Sequence, residues 1–285
     1  MKKSTLNNRK AAIIGCGFVG SATAFCLMQS QLFSELVLLD VDQEKAEAEA
    51  LDISHGIPFA GHMKISAGSY DDITDAAIII ITAGAGQKPN ETRLDLVHKN
   101  VEIFKGIIPE ISRRDYQGIL LIVSNPVDIL TYAAVKLSKM PENRVIGSGT
   151  VLDTARLKYE LGEHLSVDSR SVHAFIIGEH GDSEIAAWSS ANISGVALNR
   201  FCEMRGHFHH DESMDEIAET VKNSAYEIIA KEMMITSHLL EHVAQRMIDA
   251  LYNAFPQISH VTIKVSKLNP PLGGKIAATS VTLSK

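Results

Sequence analysis

The stretch Ala11-Ala-Ile-Ile-Gly-Cys-Gly-Phe-Val-Gly20 decides the fold. Ala11–Cys16 is a short apolar run suited to a buried strand, and Phe18–Met28 places apolar and small residues at helical spacing. Between them Gly15, Gly17 and Gly20 stand at G-x-G-x-x-G spacing. The first glycine allows a tight turn. The second lets the backbone approach a pyrophosphate seated on the helix N-terminus. A second apolar run, Leu36–Asp40, ends in an Asp twenty residues after Gly20. That carboxylate can hydrogen-bond a ribose diol and would repel a 2′-phosphate, so NAD is expected rather than NADP. A chance glycine turn at a helix entry is the competing explanation, and the strand–turn–helix–strand–Asp context argues against it.

The same texture continues outward. Glu44–Leu51 is a helix of strong formers, Ala76–Ala83 a strand, Leu94–Ile108 a helix, Ile119–Ser124 a strand and Val145–Gly149 a short one. Unbroken Val/Ile/Leu runs mean strands covered on both faces. Their alternation with helices predicts an α/β fold: a Rossmann-type doubly wound parallel sheet, with a second, smaller α+β domain behind it. Gly195–Asn199 and Gly206–Asp211 read as surface turns, and Glu203–Glu219 as a polar loop entering a helix. Residues 229–285 carry six Lys/Arg against three Asp/Glu. They read as a helix around 239–251, a strand His260–Ser266, a Pro/Gly turn and a strand Ile276–Leu283, an antiparallel pair. The expected division is a NAD-binding domain over 1–149, a catalytic part over 150–228 and this last segment over 229–285.

Composition narrows the function. The 285 residues are 45% hydrophobic with a net charge of −7, so a nucleic-acid partner is not expected. Cys16, Cys26 and Cys202 are too scattered for a disulfide framework and read as reduced thiols of a cytoplasmic protein. The uncharged stretch 11–34 follows a basic start and so mimics a leader or a membrane span. Its three glycines and Gln29-Ser-Gln31 fit a strand, turn and helix better.

Four further motifs carry chemistry. Gly178-Glu-His-Gly-Asp182 places His180 on a tight, exposed loop, where a neutral imidazole can take a proton from a hydroxyl as hydride leaves the same carbon. In Leu152-Asp-Thr-Ala-Arg156, Asp153 and Arg156 share a helix face. The Asp can orient an imidazole and the Arg can grip a carboxylate; an ordinary surface ion pair is the plainer alternative. Ala83-Gly-Ala-Gly-Gln-Lys-Pro-Asn-Glu-Thr-Arg93 has the make-up of a lid loop that delivers a guanidinium. Ser124-Asn-Pro-Val-Asp128 ends a strand, where an open α/β sheet faces its ligand. His207-Phe-His-His-Asp211 is read as a polar loop, and no metal is expected.

In this order the motifs resemble the lactate/malate dehydrogenase family, and within it the L-lactate enzymes, from about Asn8 to Lys231. The resemblance implies NAD as cofactor, pyruvate or lactate as the small-molecule substrate, no membrane partner and a homo-oligomer. It implies a proton carrier at His180, its orienting carboxylate at Asp153, a carboxylate clamp at Arg156 and a lid arginine at Arg93. Asn125 falls near the substrate oxygen and nicotinamide, and Gln87 where malate enzymes carry Arg. The cofactor set is then Gly15, Gly17, Phe18, Val19, Gly20, Asp40, Ala83, Gly84 and Asn125. After Tyr226-Glu-Ile-Ile229 the likeness changes. Lys231-Glu-Met-Met through VTIKVSKLNPPLGGKIAATSVTLSK resembles the C-terminal half of dihydroneopterin aldolase, with Glu241 at its pterin anchor and Lys267 at its catalytic lysine. That family's active-site Tyr would fall on Lys222. A chimera joined near 225–232 is therefore expected, either turning over pyruvate or binding NAD as a scaffold with little turnover.

Overall fold

The computed structural model describes residues 5–86, 92–206, 208, 210–235, 248, 260, 262–268 and 278–284. They divide into two compact units, Met1–Ala218 and Glu219–Lys285.

The first unit begins with β1 (Asn7–Ile14), α1 (Phe18–Ser30), β2 (Glu35–Leu39), α2 (Gln43–Ser54), β3 (Lys64–Ala67), β4 (Ala76–Ile81), α3 (Arg93–Ser112), β5 (Ile119–Ile122), α4 (Val127–Ser138) and β6 (Val145–Gly147). The six strands form one sheet in the order β3-β2-β1-β4-β5-β6. All five pairings are parallel. Sequence order reverses between β1 and β4, so their C-terminal ends open the crevice where such sheets take ligands.

Alternation along β1 shows why the strand runs are uniformly apolar. Ala12 and Ile14 enter the core containing Phe104 and Ile108 of α3 and Leu130 of α4. Ala11 and Ile13 enter the opposite core with Ala24 and Met28 of α1 and Ala46 and Ile53 of α2. Successive strand residues point to opposite faces, so burial on both sides requires both sets to be apolar.

The doubly wound sheet is as expected, with differences in detail. β3 is a four-residue edge strand with no counterpart among the expected strands, because Lys-Ile-Ser-Ala is too short and too little buried to show a pattern. α3 runs on through Pro109 to Ser112 rather than ending at Ile108. The stretch expected as one turn at Gly195–Asn199 contains a short strand, Val196–Ala197, and the start of a helix at Leu198.

The rest of the unit holds α5 (Val151–Leu165), β7 (Val172–His173), β8 (Ile176–Ile177), β9 (Ile185–Ala186), β10 (Asn192–Ile193), β11 (Val196–Ala197) and α6 (Leu198–Met204). β10 lies between β11 and β7, and β8 pairs with β9, all antiparallel. α5 buries Asp153, Leu157, Leu161 and Leu165, a stripe at four-residue spacing. Asp153 thus sits on the core-facing side of its helix.

α7 (His210–Ile235) runs across the boundary between the units. In the second unit β12 (Thr262–Leu268) and β13 (Ala278–Ser284) form the expected antiparallel pair, registered Val265 to Val281. The expected helix 239–251, apart from Ile248, and the turn between the strands lie outside the described residues, as does Glu241. For Lys267 only the backbone position, in β12, is described.

Candidate active site

The nucleotide crevice is built around the β1–α1 turn. Gly15 has φ +105°, and a Cβ there would stand 2.5 Å from the Ala83 nitrogen. Gly17 caps α1 and has open space where a side chain would be, as a bound phosphate requires. A Cβ on Gly20 would overlap the Gly15 carbonyl, so this glycine lets α1 close on the turn. Thr82 Oγ1 donates to Gly15 O at 2.7 Å, and Ala83 N donates to Ile14 O at 2.9 Å, joining the ends of β1 and β4.

Asp40 accepts from Cys16 N at 2.6 Å through one oxygen and from Asp42 N at 3.0 Å through the other. The carboxylate is thereby fixed at the rim of a groove of about 740 Å³ that Gly15, Gly17, Asp40, Ala83 and Gly84 all line. Of the other expected cofactor residues, Gly20 lies behind the turn. Phe18 and Val19 are exposed and contribute backbone N–H groups at the helix start. Burial, and then the Asp40 charge, push the Cys16 thiol up to about 11.

The second half of the site centres on a buried carboxylate. Asp153 is 2% exposed; its Oδ2 lies 2.6 Å from His180 Nδ1 and its Oδ1 accepts from Arg156 Nη1 at 3.0 Å. An ion pair this deep is no surface i,i+3 bridge. Two hydrogen bonds place it: Thr150 Oγ1 donates to Ile176 O at 2.7 Å, and Ile176 N donates to Thr154 Oγ1 at 3.0 Å. These fasten the first turn of α5 to β8, which leads into the His180 loop. Gly178 and Gly181 take positive φ, 98° and 120°, to turn that loop back. The His180 side chain is 24% exposed, so the expected exposed imidazole is in fact partly buried against Asp153.

Three residues that the sequence reading leaves without a role complete the site. Asp128, at the start of α4, accepts from His180 N at 2.9 Å. Asn100 is 1% exposed; it accepts from Ala85 N at 2.7 Å and donates to Ala85 O at 3.2 Å and Asn125 O at 2.7 Å. It thus ties the loop after β4 to the one after β5. Asn125 itself is exposed and joins Pro126 by a cis peptide. Glu184 is buried next to the Asp153–His180 pair. Asp128 closes the Ser124–Asp128 motif and Asn100 stands as a polar residue on the Asn100–Phe104–Ile108 stripe, but neither pattern gives the partner.

Arg93 opens α3 behind a capping box in which Thr92 and Asp95 bond reciprocally. Its side chain and the whole of Gln87 lie outside the described residues, as do His207 and His209. The structure therefore joins Asp153, Arg156 and His180, joins the nucleotide residues, and leaves the lid unplaced.

Comparison with known proteins agrees with this geometry. Residues 9–147 match the family model "lactate/malate dehydrogenase, NAD binding domain", and residues 150–283 match "lactate/malate dehydrogenase, alpha/beta C-terminal domain". The second match runs past the junction expected near 225–232, and the comparisons give no support to a chimera or to an aldolase segment. Helix followed by antiparallel strands is an order common to both families, which explains how the segment can resemble either.

L-lactate dehydrogenase of Acetivibrio thermocellus is 51% identical over 243 residues, 85% of this chain and 76% of that protein. L-lactate dehydrogenase of Thermoanaerobacter pseudethanolicus is 45% identical over 275 residues, 96% and 86%. The ligand-bound crystal structure of minor L-lactate dehydrogenase from Enterococcus mundtii superposes with a TM-score of 0.76 at 44% identity, covering 79% of this chain and 72% of that one.

Proposed function

The chain belongs to the lactate/malate dehydrogenase family, and from that premise we propose that its site interconverts pyruvate and L-lactate with NAD as hydride carrier. It is an NAD-dependent oxidoreductase of the L-lactate dehydrogenase type. The observation that carries the mechanism is the Asp153–His180 contact of 2.6 Å with Arg156 on the other carboxylate oxygen.

The nucleotide residues fit the cofactor: an unobstructed Gly17 at a helix N-terminus and a fixed acidic group at Asp40. When bound, the cofactor would supply the hydride as NADH in reduction and accept it as NAD+ in oxidation. Arg156 spends one donor on Asp153 and has the rest of its fork for the substrate carboxylate. Arg93 stabilises charge developing on the carbonyl oxygen. Asp153 holds Nδ1, which fixes the imidazole ring and leaves Nε2 for the substrate. His180 then gives its Nε2 proton to the substrate oxygen as the carbonyl carbon receives hydride, yielding lactate. In oxidation the neutral imidazole takes that proton back. Reduction thus uses the protonated imidazole and oxidation the neutral one.

Gln87 is neutral and cannot balance a second carboxylate, which favours pyruvate over oxaloacetate. The nucleotide role belongs to 1–149 and the proton and carboxylate roles to the part from 150 onward, in a cytoplasmic homo-oligomer. The aldolase likeness of residues 229–285 remains one of sequence pattern. It brings no aldolase activity, because Glu241 and Lys267 come without that family's other half, and a dihydroneopterin cleavage assay should read blank.

The test is the ratio of kcat/KM for pyruvate to that for oxaloacetate, with NADH and with NADPH. Pyruvate with NADH should be the preferred pair. A preference for oxaloacetate overturns the substrate assignment, and NADH binding without any turnover would leave only a cofactor-binding scaffold.

A further inference from the structure

Of the two buried carboxyls among the described residues, Asp153 and Glu184, the roles above leave the second unused. Glu184 is 3% exposed. Its Oε2 accepts a long hydrogen bond from Gly181 N at 3.3 Å and lies 4.0 Å from His180 Nδ1. Among the described residues its Oε1 is buried with no hydrogen-bond partner. Carboxylate oxygens of Asp153 and Glu184 and a ring nitrogen of His180 fall within 4.8 Å of one another.

The two carboxyl groups are not equivalent. Asp153 has a partner on each oxygen, the Arg156 guanidinium on one and the His180 ring on the other. Glu184 has one backbone N–H. Among the described residues the groups facing it are Asp153 of α5, with Arg156 beyond it, and His180 on its own loop, whose backbone is tied to Asp128 of α4. A buried charge without close partners is strongly disfavoured, and two carboxylates this near cannot both ionise cheaply. Burial first, and the Asp153 charge after the opposing Gly181 hydrogen bond, push the Glu184 carboxyl up.

We propose that Glu184 is a positioning residue for the proton transfer: a neutral carboxyl packed behind the Asp153–His180 pair, which braces the Gly181 turn and leaves Asp153 as the only anionic carboxylate next to the imidazole. The inference rests on the oxidoreductase reading of the site. Its chemical consequence concerns the proton. A second anion beside Nδ1 would hold the imidazolium proton more tightly and oppose its delivery to the substrate oxygen. A neutral acid of the same shape supports the turn without that penalty.

The experiment compares wild type, Glu184→Gln and Glu184→Ala in pyruvate reduction across pH, with kcat and KM separated. Alanine should lower kcat by about ten- to a hundredfold with little change in the KM for pyruvate, as expected for a proton donor displaced on the scale of an ångström. It should also displace the alkaline fall of the rate. Glutamine, a neutral isostere, should recover most of what alanine loses, with the alkaline fall where wild type has it.

A fall displaced by about one pH unit to lower pH in Glu184→Gln would mean that an anion had been removed, and overturns the neutral carboxyl. An alanine variant indistinguishable from wild type overturns the positioning role. So does one that loses stability and rate together while its pH profile and the glutamine rescue show nothing specific. If alanine does not fold, the glutamine profile decides alone. A wild type without pyruvate-dependent turnover overturns the oxidoreductase reading and this inference together, whereas an active wild type with unaffected variants overturns this inference alone.

Discussion

Replacing Asp153 by Asn changes one atom in a site where each carboxylate oxygen has its own partner. Oδ2 faces His180 Nδ1 at 2.6 Å and Oδ1 faces Arg156 Nη1 at 3.0 Å. The asparagine amide has one acceptor and one donor end, so it can satisfy only one of these partners. If its oxygen stays on Arg156, its NH2 confronts Nδ1 and the protonated imidazole loses its acceptor. If it flips, two donors face each other at Arg156. With Asp153 at 2% exposure, water cannot repair either loss. A hydrogen bond to a charged group is worth about 1.5–3 kcal/mol, and about 1.4 kcal/mol corresponds to a factor of ten, so kcat for pyruvate reduction should drop by about 10- to 150-fold. The KM for pyruvate should stay within about threefold, because the Arg156 fork is intact and what is lost acts mainly in the transition state. The assay is steady-state NADH oxidation over a pyruvate series, with thermal unfolding and NADH binding as controls. An unchanged kcat would refute the role of Asp153 in holding the imidazole. A raised KM with unchanged kcat would show instead that Asp153 serves substrate binding through Arg156.

Other consequences follow from the same geometry. Asn100→Ala removes three hydrogen bonds linking Ala85 and Asn125 and strands their backbone groups, at about 2–4 kcal/mol. A melting temperature lowered by about 5–15 °C is expected, and an unchanged one would mean that the two loops do not depend on this side chain. Cys16 is buried and its thiol is pushed up to about 11, whereas Cys26 is exposed. Alkylation at mildly alkaline pH, read by peptide mass spectrometry, should mark Cys26 and spare Cys16; equal labelling would contradict a closed β1–α1 turn. Folded Glu184 binds its proton more tightly than the unfolded chain, whose carboxyl has the ordinary value of 4.5. Its stabilising contribution is full below that value and is lost as pH rises through the raised folded value. Urea melts should therefore show Glu184→Gln gaining on wild type across that window, and a constant difference at every pH would refute a raised value.

The sheet was legible because strands covered on both faces must be apolar at every position, as Ala76–Ile81 is. The glycine spacing and Asp40 were legible because a tight turn and a ribose contact impose residue types at fixed separations along the chain. β3 was not, since its placement depends on pairing with β2 from Glu35 to Leu38 rather than on its own pattern. The site divides in the same way. Asp153 and Arg156 are one helical turn apart, and their sharing of a face follows from spacing. That Asp153 is buried and that His180 packs on it depends on the link between α5 and β8. Asp128 and Asn100 act across separations of 52 and 25 residues, which no local pattern encodes. The same lack of local encoding affects the C-terminal segment. Its antiparallel pair was foreseen, whereas its family could not be read from a helix–strand–turn–strand order that unrelated proteins share.

In the proposed mechanism His180, held by Asp153, carries the proton while hydride passes between NAD and the substrate carbon. The most direct measurement is the initial rate of NADH oxidation on adding pyruvate, in wild type and in His180→Ala, with NADH binding measured for both. The account predicts pyruvate-dependent turnover in wild type and its loss, by about a hundredfold or more, in a variant that still binds NADH. Equal rates in the two proteins would contradict it.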